Sequence, residues 1–325
     1  MPIVFERNDD QAQGCENGGC FEVIARRRYE SDGVVVLPQC VGLTWIEALR
    51  EAVDRDIQNP GPYVHSYDSE DNAGYFHGNL RTWENDPTFC SFCTDSPLPA
   101  VAAALFGSRK VNLLYDQIFV KEPATLVRTR WHNDQPYWPV RGQQVASFWI
   151  ALDHVTAENG ALEFIRRSHR SGHWYQPEAF GPTRGYDAYE PNPDYEPIPN
   201  IEAEREKYDI VSWNLEPGDV YVFHGLTVHS AGVNRTSEVR RRGYAVRYTG
   251  DDVVYDTRPG TNTHLRSPAH EDGDVLDSDQ YPVVWPHHRV SLRADQVPVV
   301  AEPGWGTTKT GSDAVSVAKC SSTVT

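Results

Sequence analysis

Positive charge is scarce in this sequence. Its 325 residues carry 30 Lys and Arg against 46 Asp and Glu, a formal net charge of −16. That balance argues against a nucleic-acid partner, because a phosphate backbone selects clustered Lys and Arg. The densest basic stretch, "RTSEVRRRG", offers only Arg240, Arg241 and Arg242 in a row. Long apolar runs are missing too. None approaches the roughly 20 residues of a membrane span. The opening "MPIVFERNDDQAQG" lacks the basic-then-apolar layout of a secretory signal. These absences predict a soluble, cytoplasmic protein with no membrane partner. Cysteine is sparse as well. The 6 Cys include one C-x2-C, Cys90 and Cys93, and a looser pair, Cys15 and Cys20. A structural zinc site usually needs a second C-x2-C pair. Unpaired thiols suit a reducing compartment. No internal repeat is visible.

Aromatic and branched residues are abundant. Hydrophobic residues make up 39%, with 16 Tyr and 9 Trp, enough for a substantial core. Residues 33–37 read as a short strand. A helix follows, with Thr44 as N-cap and Glu47 at capping-box spacing. Residues 59–94 are rich in Pro, Gly, Asn and aromatics and read as long loops. "PAVAAALFG" reads as a helix ending at Gly107. From Val111 the texture changes. "VNLLYDQIFVK", "QQVASFWIALD", "GALEFIRR", "DVYVFHG" and "RGYAVRYTG" are short runs of β-branched and aromatic residues punctuated by turn formers. They predict a mainly β fold, a sandwich or barrel with flanking helices.

One domain over 1–325 is expected. It would have a helical and loop part at 29–107, a β core at 111–250, a C-terminal extension at 251–302 and a frayed tail at 303–325. Residues 174–212 interrupt the core. Their tyrosines (Tyr175, Tyr186, Tyr189, Tyr195, Tyr208) suggest a lid that selects the substrate. The aromatic loops at 63–83 are the other place where selection could lie.

The chemistry begins at "TRWHNDQPYW". An extended backbone turns residues i and i+2 to one face, so His132 and Asp134 can aim at a common point. A metal would use such a pair, and so would a plain hydrogen-bonded contact. The best third ligand lies in "PGDVYVFHGLTVHSAGVN". There His229 follows a strand that ends near His224. Two His and one carboxylate suit non-haem iron(II), with positions left open for cosubstrate and dioxygen. Zinc accepts the same three ligands. His224 reads first as a hydrogen-bonding residue, with the third-ligand place in His229's stead as its alternative. His169 reads as a hydrogen-bonding residue, and His287 and His288 as surface or loop residues.

At this point the sequence resembles the phytanoyl-CoA dioxygenase family. The segments "DQIFVK", "WHNDQPYWP", "SFWIALDHVTAENGALEFI", "SHRSG", "PGDVYVFHGLTVHSAGVN" and "RRGYAVRYTGDD" carry the resemblance, in that order, from about Tyr29 to Asp252. It implies a double-stranded β-helix (jelly-roll, cupin-like) core and an oxygenase that uses Fe(II), 2-oxoglutarate and O2. It also implies that His132, Asp134 and His229 are the iron ligands, and that Lys121 and Trp149 contact the cosubstrate. Asn234 matches an asparagine after the third ligand. An arginine beyond that ligand would hold the distal carboxylate of 2-oxoglutarate. Counting alone leaves Arg240 and Arg241 open. Strand parity favours Arg241, which shares a face with Gly243 and Ala245, small residues that would leave room for the cosubstrate.

Two departures stand out. Arg166 and Arg167 replace a Pro-Gly before "SHR", and Ala231 stands where relatives often carry serine. The expected reaction is oxidation, as hydroxylation, of a small-molecule substrate such as a natural-product intermediate, with release of succinate and CO2. The rival readings are a zinc hydrolase or lyase on the same triad, and a non-catalytic β-barrel binding protein. The first calls for no arginine of this kind, and the second leaves His132, Asp134 and His229 without a shared purpose.

Overall fold

The computed structural model describes residues 3–5, 18–68, 74–178, 183–184 and 190–286. The expected tail at 303–325, His287, His288, Tyr186 and Tyr189 lie outside them. The first third of the chain holds β1 (Ile3–Phe5), α1 (Gly18–Asp32), β2 (Val34–Leu37), α2 (Leu43–Gln58), β3 (Val64–Asp68), β4 (Tyr75–Leu80), α3 (Pro87–Asp95) and α4 (Leu98–Phe106). The middle holds β5 (Val111–Lys121), β6 (Thr129–His132), β7 (Val140–Arg141), β8 (Val145–Ala151), β9 (Leu162–Ile165) and β10 (Thr183–Arg184). After these come β11 (Ile210–Trp213), β12 (Val220–His224), β13 (His229–Ala231), β14 (Arg241–Thr249), β15 (Val254–Tyr255) and β16 (Val283–Trp285).

Two sheets, antiparallel but for β1 on β11, build the double-stranded β-helix. The large sheet runs β10-β3-β4-β5-β14-β8-β12-β2, with β16 also on β5, and the small one runs β1-β11-β9-β13-β6. The large sheet is covered on both faces, so its central strands are buried along nearly their whole length. One face packs on the helices through Ile118, Phe148, Ile150, Val222 and Val246, against Ile46, Leu49, Phe89 and Ala102. The other face meets the small sheet through Trp149, Ala245 and Phe223 against Phe164.

The helices follow from local chemistry, with two differences from expectation. In α2, Ile46, Leu49, Ala52 and Val53 form the buried stripe. Its N-cap is Gly42, whose carbonyl takes the first helical bonds, so Thr44 lies inside the helix and caps nothing. The segment 59–94 is not a run of loops. It contains the hairpin β3–β4 and then α3, started by an Asp86 side chain that accepts from the Thr88 amide. The strands "VHSYD" and "YFHGNL" escape an apolar-alternation reading because they bury His65, His77 and Asn79. The stretch Pro87–Phe106 is apolar and long enough to cross a membrane by composition. Here it is two helices broken at Ser96 and Pro97, packed on the core. Cys90 is disulfide-bonded, against the expectation of free thiols. Cys93, three residues on, contacts the Tyr244 hydroxyl instead.

β14 shows how tightly the inner face is filled. Gly243 lies opposite Ala151 on β8. A Cβ built on Gly243 would sit 1.9 Å from the Trp149 ring. The small residue therefore makes room for the Trp149 indole, and not for a cosubstrate as the strand pattern suggested. Gly243→Ala should cost roughly 1–3 kcal/mol of stability, since the buried indole has nowhere to go. Thermal unfolding of the variant against wild type checks this.

Candidate active site

β6 and β13 are paired so that His132 stands opposite His229. Their ring centroids are 4.2 Å apart. The chain leaves β6 and turns at Asp134, whose amide and that of Gln135 both donate to the Gly225 carbonyl, at 2.9 and 2.8 Å. That turn carries the Asp134 carboxylate between the imidazoles. Its Oδ1 is 3.2 Å from His132 Nε2 and 3.7 Å from His229 Nε2. One ligand atom from each residue lies within 4.8 Å of the others.

The donor set fits a divalent metal. His132 Nδ1 is 2.8 Å from the Arg130 carbonyl, and His229 Nδ1 is 2.9 Å from that of Thr227. A carbonyl only accepts, so each Nδ1 carries the proton and each Nε2 presents a lone pair. Burial, with His132 beside it, pushes the His229 imidazole down to about 4, which keeps it neutral and ligand-ready. Burial alone would raise the Asp134 carboxyl. The neighbouring imidazoles of His229 and His132, and the Arg247 guanidinium, outweigh it and hold the group well below the usual carboxylate range. Tyr137 donates its hydroxyl to Asp134 Oδ1, and Ser147 donates to Oδ2 at 2.9 Å. Arg247 Nε donates in turn to Ser147 Oγ at 3.2 Å.

His224 and His169 are spent elsewhere. His224 Nε2 meets the Gln143 carbonyl and Nδ1 accepts from the Leu226 amide, while His169 Nε2 meets the Glu30 carbonyl. Asn234 is fully buried and donates to the carbonyls of Lys121, Glu122 and Val239, which ties β14 to β5.

The three arginines in a row separate cleanly. Arg240 is paired with Glu122 and Asp54, and Arg242 is held bidentately by Asp153. Arg241 is 1% exposed, and among the described residues no carboxylate lies within salt-bridge distance of it. Its guanidinium carbon is 5.4 Å from the Trp149 ring centroid. Burial lowers it to about 10, still a cation at neutral pH. Arg241 and Trp149 share the walls of a cavity of about 780 Å³, open mouth included, with His132, Asp134 and His229. Lys121 pairs with Arg241 across the sheet but is not one of those walls. Its buried ammonium donates to the carbonyls of Val127 and Gly232.

Sequence reasoning missed part of the cavity. Arg247, Gln117, Tyr115 and Phe119 line it, as do His65, Phe76 and Leu80 of the 63–83 segment, and Asn262. Period-2 alternation from Arg241 and Lys121 already puts Arg247, Phe119, Gln117 and Tyr115 on the inner face, a signal that was available. No described residue of 174–212 is a wall. Tyr175 packs beside Trp131 and Ile165 on the small sheet. That segment instead braces the turn that carries Asp134. Tyr195 donates to the Pro136 carbonyl at 2.8 Å, and Asn133 donates to the His173 carbonyl at 3.0 Å. Arg258 donates to the carbonyls of Gln135 and Trp138 while covering the Trp174 ring. Its strand β10 pairs with β3, Arg184 opposite Ser66, at the hairpin that walls the cavity.

The phytanoyl-CoA dioxygenase (PhyH) family matches residues 29–243. The chain belongs to that family. As a family member with this triad it is a non-haem iron dioxygenase that works with Fe(II), 2-oxoglutarate and O2. A probable phytanoyl-CoA dioxygenase of Caenorhabditis elegans is 24% identical over 256 residues, 73% of this chain and 78% of the relative. The peroxisomal phytanoyl-CoA dioxygenase of Rattus norvegicus is 22% identical over 272 residues, 78% of this chain and 75% of the relative. Two enzymes of nogalamycin biosynthesis share the fold. The epimerase SnoN, in complex with Fe3+, alpha ketoglutarate and nogalamycin RO, is 22% identical with a TM-score of 0.64, covering 82% of this chain and 99% of that one. The carbocyclase SnoK is 22% identical with a TM-score of 0.64, covering 87% and 99%.

Ser147 offers a test of the metal environment away from the ligands themselves. Ser147→Ala removes one hydroxyl from Asp134 and releases Arg247 from its relay. Metal affinity should fall roughly 10-fold or more with the fold intact, as read by calorimetric titration with Fe(II) under anaerobic conditions.

Proposed function

We propose that the enzyme oxidises, most simply by hydroxylation, a small and largely apolar organic molecule, a natural-product intermediate being the class in view. His132, Asp134 and His229 would hold the iron. The observation that carries the reading is Arg241, a buried guanidinium without a carboxylate partner that lines the cavity of the triad. A buried unpaired charge is costly, so such a group implies an anionic partner. A planar fork of donors suits the distal carboxylate of 2-oxoglutarate. Trp149 supports Arg241 from one side, and Lys121 stands opposite Arg241 on β5. When bound, iron with 2-oxoglutarate and dioxygen supplies the oxidation, releasing succinate and carbon dioxide. The protein's own part is to orient the ligands, dock the cosubstrate and keep the chamber dry.

The substrate class rests on the walls. Tyr115, Phe119, Phe76 and Leu80 are aromatic or aliphatic. A coenzyme A thioester carries phosphates that want free Lys or Arg, whereas the arginines on the cavity walls, Arg241 and Arg247, are committed to the cosubstrate and to the Ser147 hydroxyl. SnoN, which shares the fold and comes from nogalamycin biosynthesis, is in complex with nogalamycin RO, and a compound of that kind is the first to test here.

Anaerobic loading with Fe(II) and 2-oxoglutarate, then oxygen and a compound panel with succinate as readout, tests the reading. CoA-free ring compounds should stimulate release where acyl-CoA thioesters do not, and the reverse result sinks the substrate class. Asp134→Ala should abolish iron-dependent turnover in a folded protein, as seen by circular dichroism. Arg241→Met should raise the 2-oxoglutarate KM by roughly 30-fold or more, the scale for deleting one side of a buried ion pair. Arg240→Met, whose charge is already neutralised, should change it by less than about 3-fold.

A further inference from the structure

We propose that Gln117 reads a hydrogen-bond donor on the substrate, an O–H or N–H, and that His65 is the positioning residue that turns the Gln117 carbonyl oxygen toward it. The inference rests on the cavity being the substrate chamber, and it narrows the substrate class to apolar molecules that carry a hydroxyl or an N–H.

Gln117 projects from β5 into the cavity between Tyr115 and Phe119, and is 9% exposed. Its side-chain nitrogen is 3.1 Å from His65 Nε2. The other ring nitrogen, His65 Nδ1, is 3.3 Å from the Tyr63 carbonyl oxygen. That oxygen can only accept, so the proton sits on Nδ1 and Nε2 carries the lone pair. A lone pair needs a donor, and the Gln117 amide can supply one only through its NH2. The amide is thereby oriented with its NH2 toward His65. Burial pushes the His65 imidazole down to about 4, so the ring stays neutral and Nε2 stays an acceptor near neutral pH.

The ring itself has little freedom. It lies against β4 at Gly78, where a Cβ would come within 2.3 Å of Nε2. His65 opposite Gly78 in the β3–β4 register is what brings the two together. The consequence falls on Gln117 Oε1. It has no protein partner among the described residues and is not among the sealed, unsatisfied atoms, so it opens to the cavity. Around it stand Phe76, Leu80, Tyr115 and Phe119. An acceptor on apolar walls favours a ligand that brings a donor on an apolar body, and disfavours one that leaves the oxygen desolvated and unmet.

The probes are 2-naphthol and 2-methoxynaphthalene, one apolar ring system with and without the donor. Equilibrium dialysis is run without oxygen on the full chain loaded with Fe(II) and 2-oxoglutarate, so no turnover intervenes. Wild type should bind 2-naphthol roughly 3- to 10-fold tighter than its methyl ether. Gln117→Met, close in size, should bring the two within about 2-fold, and Gln117→Glu, still an acceptor, should keep the preference. His65→Phe should also erase it, because the freed amide can turn its NH2 to the cavity. In the uncharged variants Gln117→Met and His65→Phe, 2-oxoglutarate affinity should stay within about 2-fold of wild type, which a general loss of structure would not allow. A wild-type ratio near one, no saturable naphthol binding, or a preference that survives Gln117→Met overturns the proposal while leaving the oxygenase reading intact. Failure of wild type to bind 2-oxoglutarate overturns that reading, and this inference with it.

Discussion

The site depends on one antiparallel pairing, His132 on β6 opposite His229 on β13. Two short strands from distant parts of the chain must meet in that register and no other, because a slip of one residue would turn either imidazole to the far face. The Gly225 carbonyl fixes the next step by accepting two consecutive amides from the Asp134 turn. Arg258, Tyr195 and Asn133 then hold that turn from outside. The positions of His132, Asp134 and His229 are thus set by backbone hydrogen bonds and their braces, and the two imidazole tautomers are set by two carbonyls.

Charge is handled locally, and the chain's overall balance predicts little about it. A strongly acidic protein encloses a cavity lined by Arg241 and Arg247, with Lys121 just behind. Each cation is treated differently. Lys121 is satisfied by two carbonyls. Arg247 lies over the Tyr115 ring at 4.5 Å and hydrogen-bonds Ser147, which passes its influence to Asp134. Arg241 alone is left facing the chamber without a counter-charge. That contrast, set beside the paired Arg240 and Arg242, leaves one of three adjacent identical residues on the cavity wall without a carboxylate partner and makes struts of the other two.

Misreadings in the sequence share a physical cause. The β3–β4 hairpin was unreadable as strand because its buried positions carry His65, His77 and Asn79, which gain their partners only in the folded sheet. The tyrosines of 174–212 look like a lid by composition. Of the described ones, Tyr175 packs on the small sheet and Tyr195 reaches back to the turn that carries Asp134. Aromatic content says that a segment will pack, and not on what. Thr44 failed as a cap because Gly42 already provides the first carbonyl of α2.

The β texture, the helix stop at Gly107, the likeness to a family and the grouping of His132, Asp134 and His229 were legible along the chain, and strand parity put Arg241 on the inner face. These are local patterns, or short motifs whose spacing is read along one strand. Only the tertiary structure decided which residues close the cavity, that Gly243 exists for the Trp149 indole, that Arg247 reaches Asp134 through Ser147, and that His65 meets Gln117. Each of these joins elements that are close in the fold and distant in the chain. Such contacts depend on register and on which polar groups remain unpaired after folding, and neither is written in any single stretch of sequence.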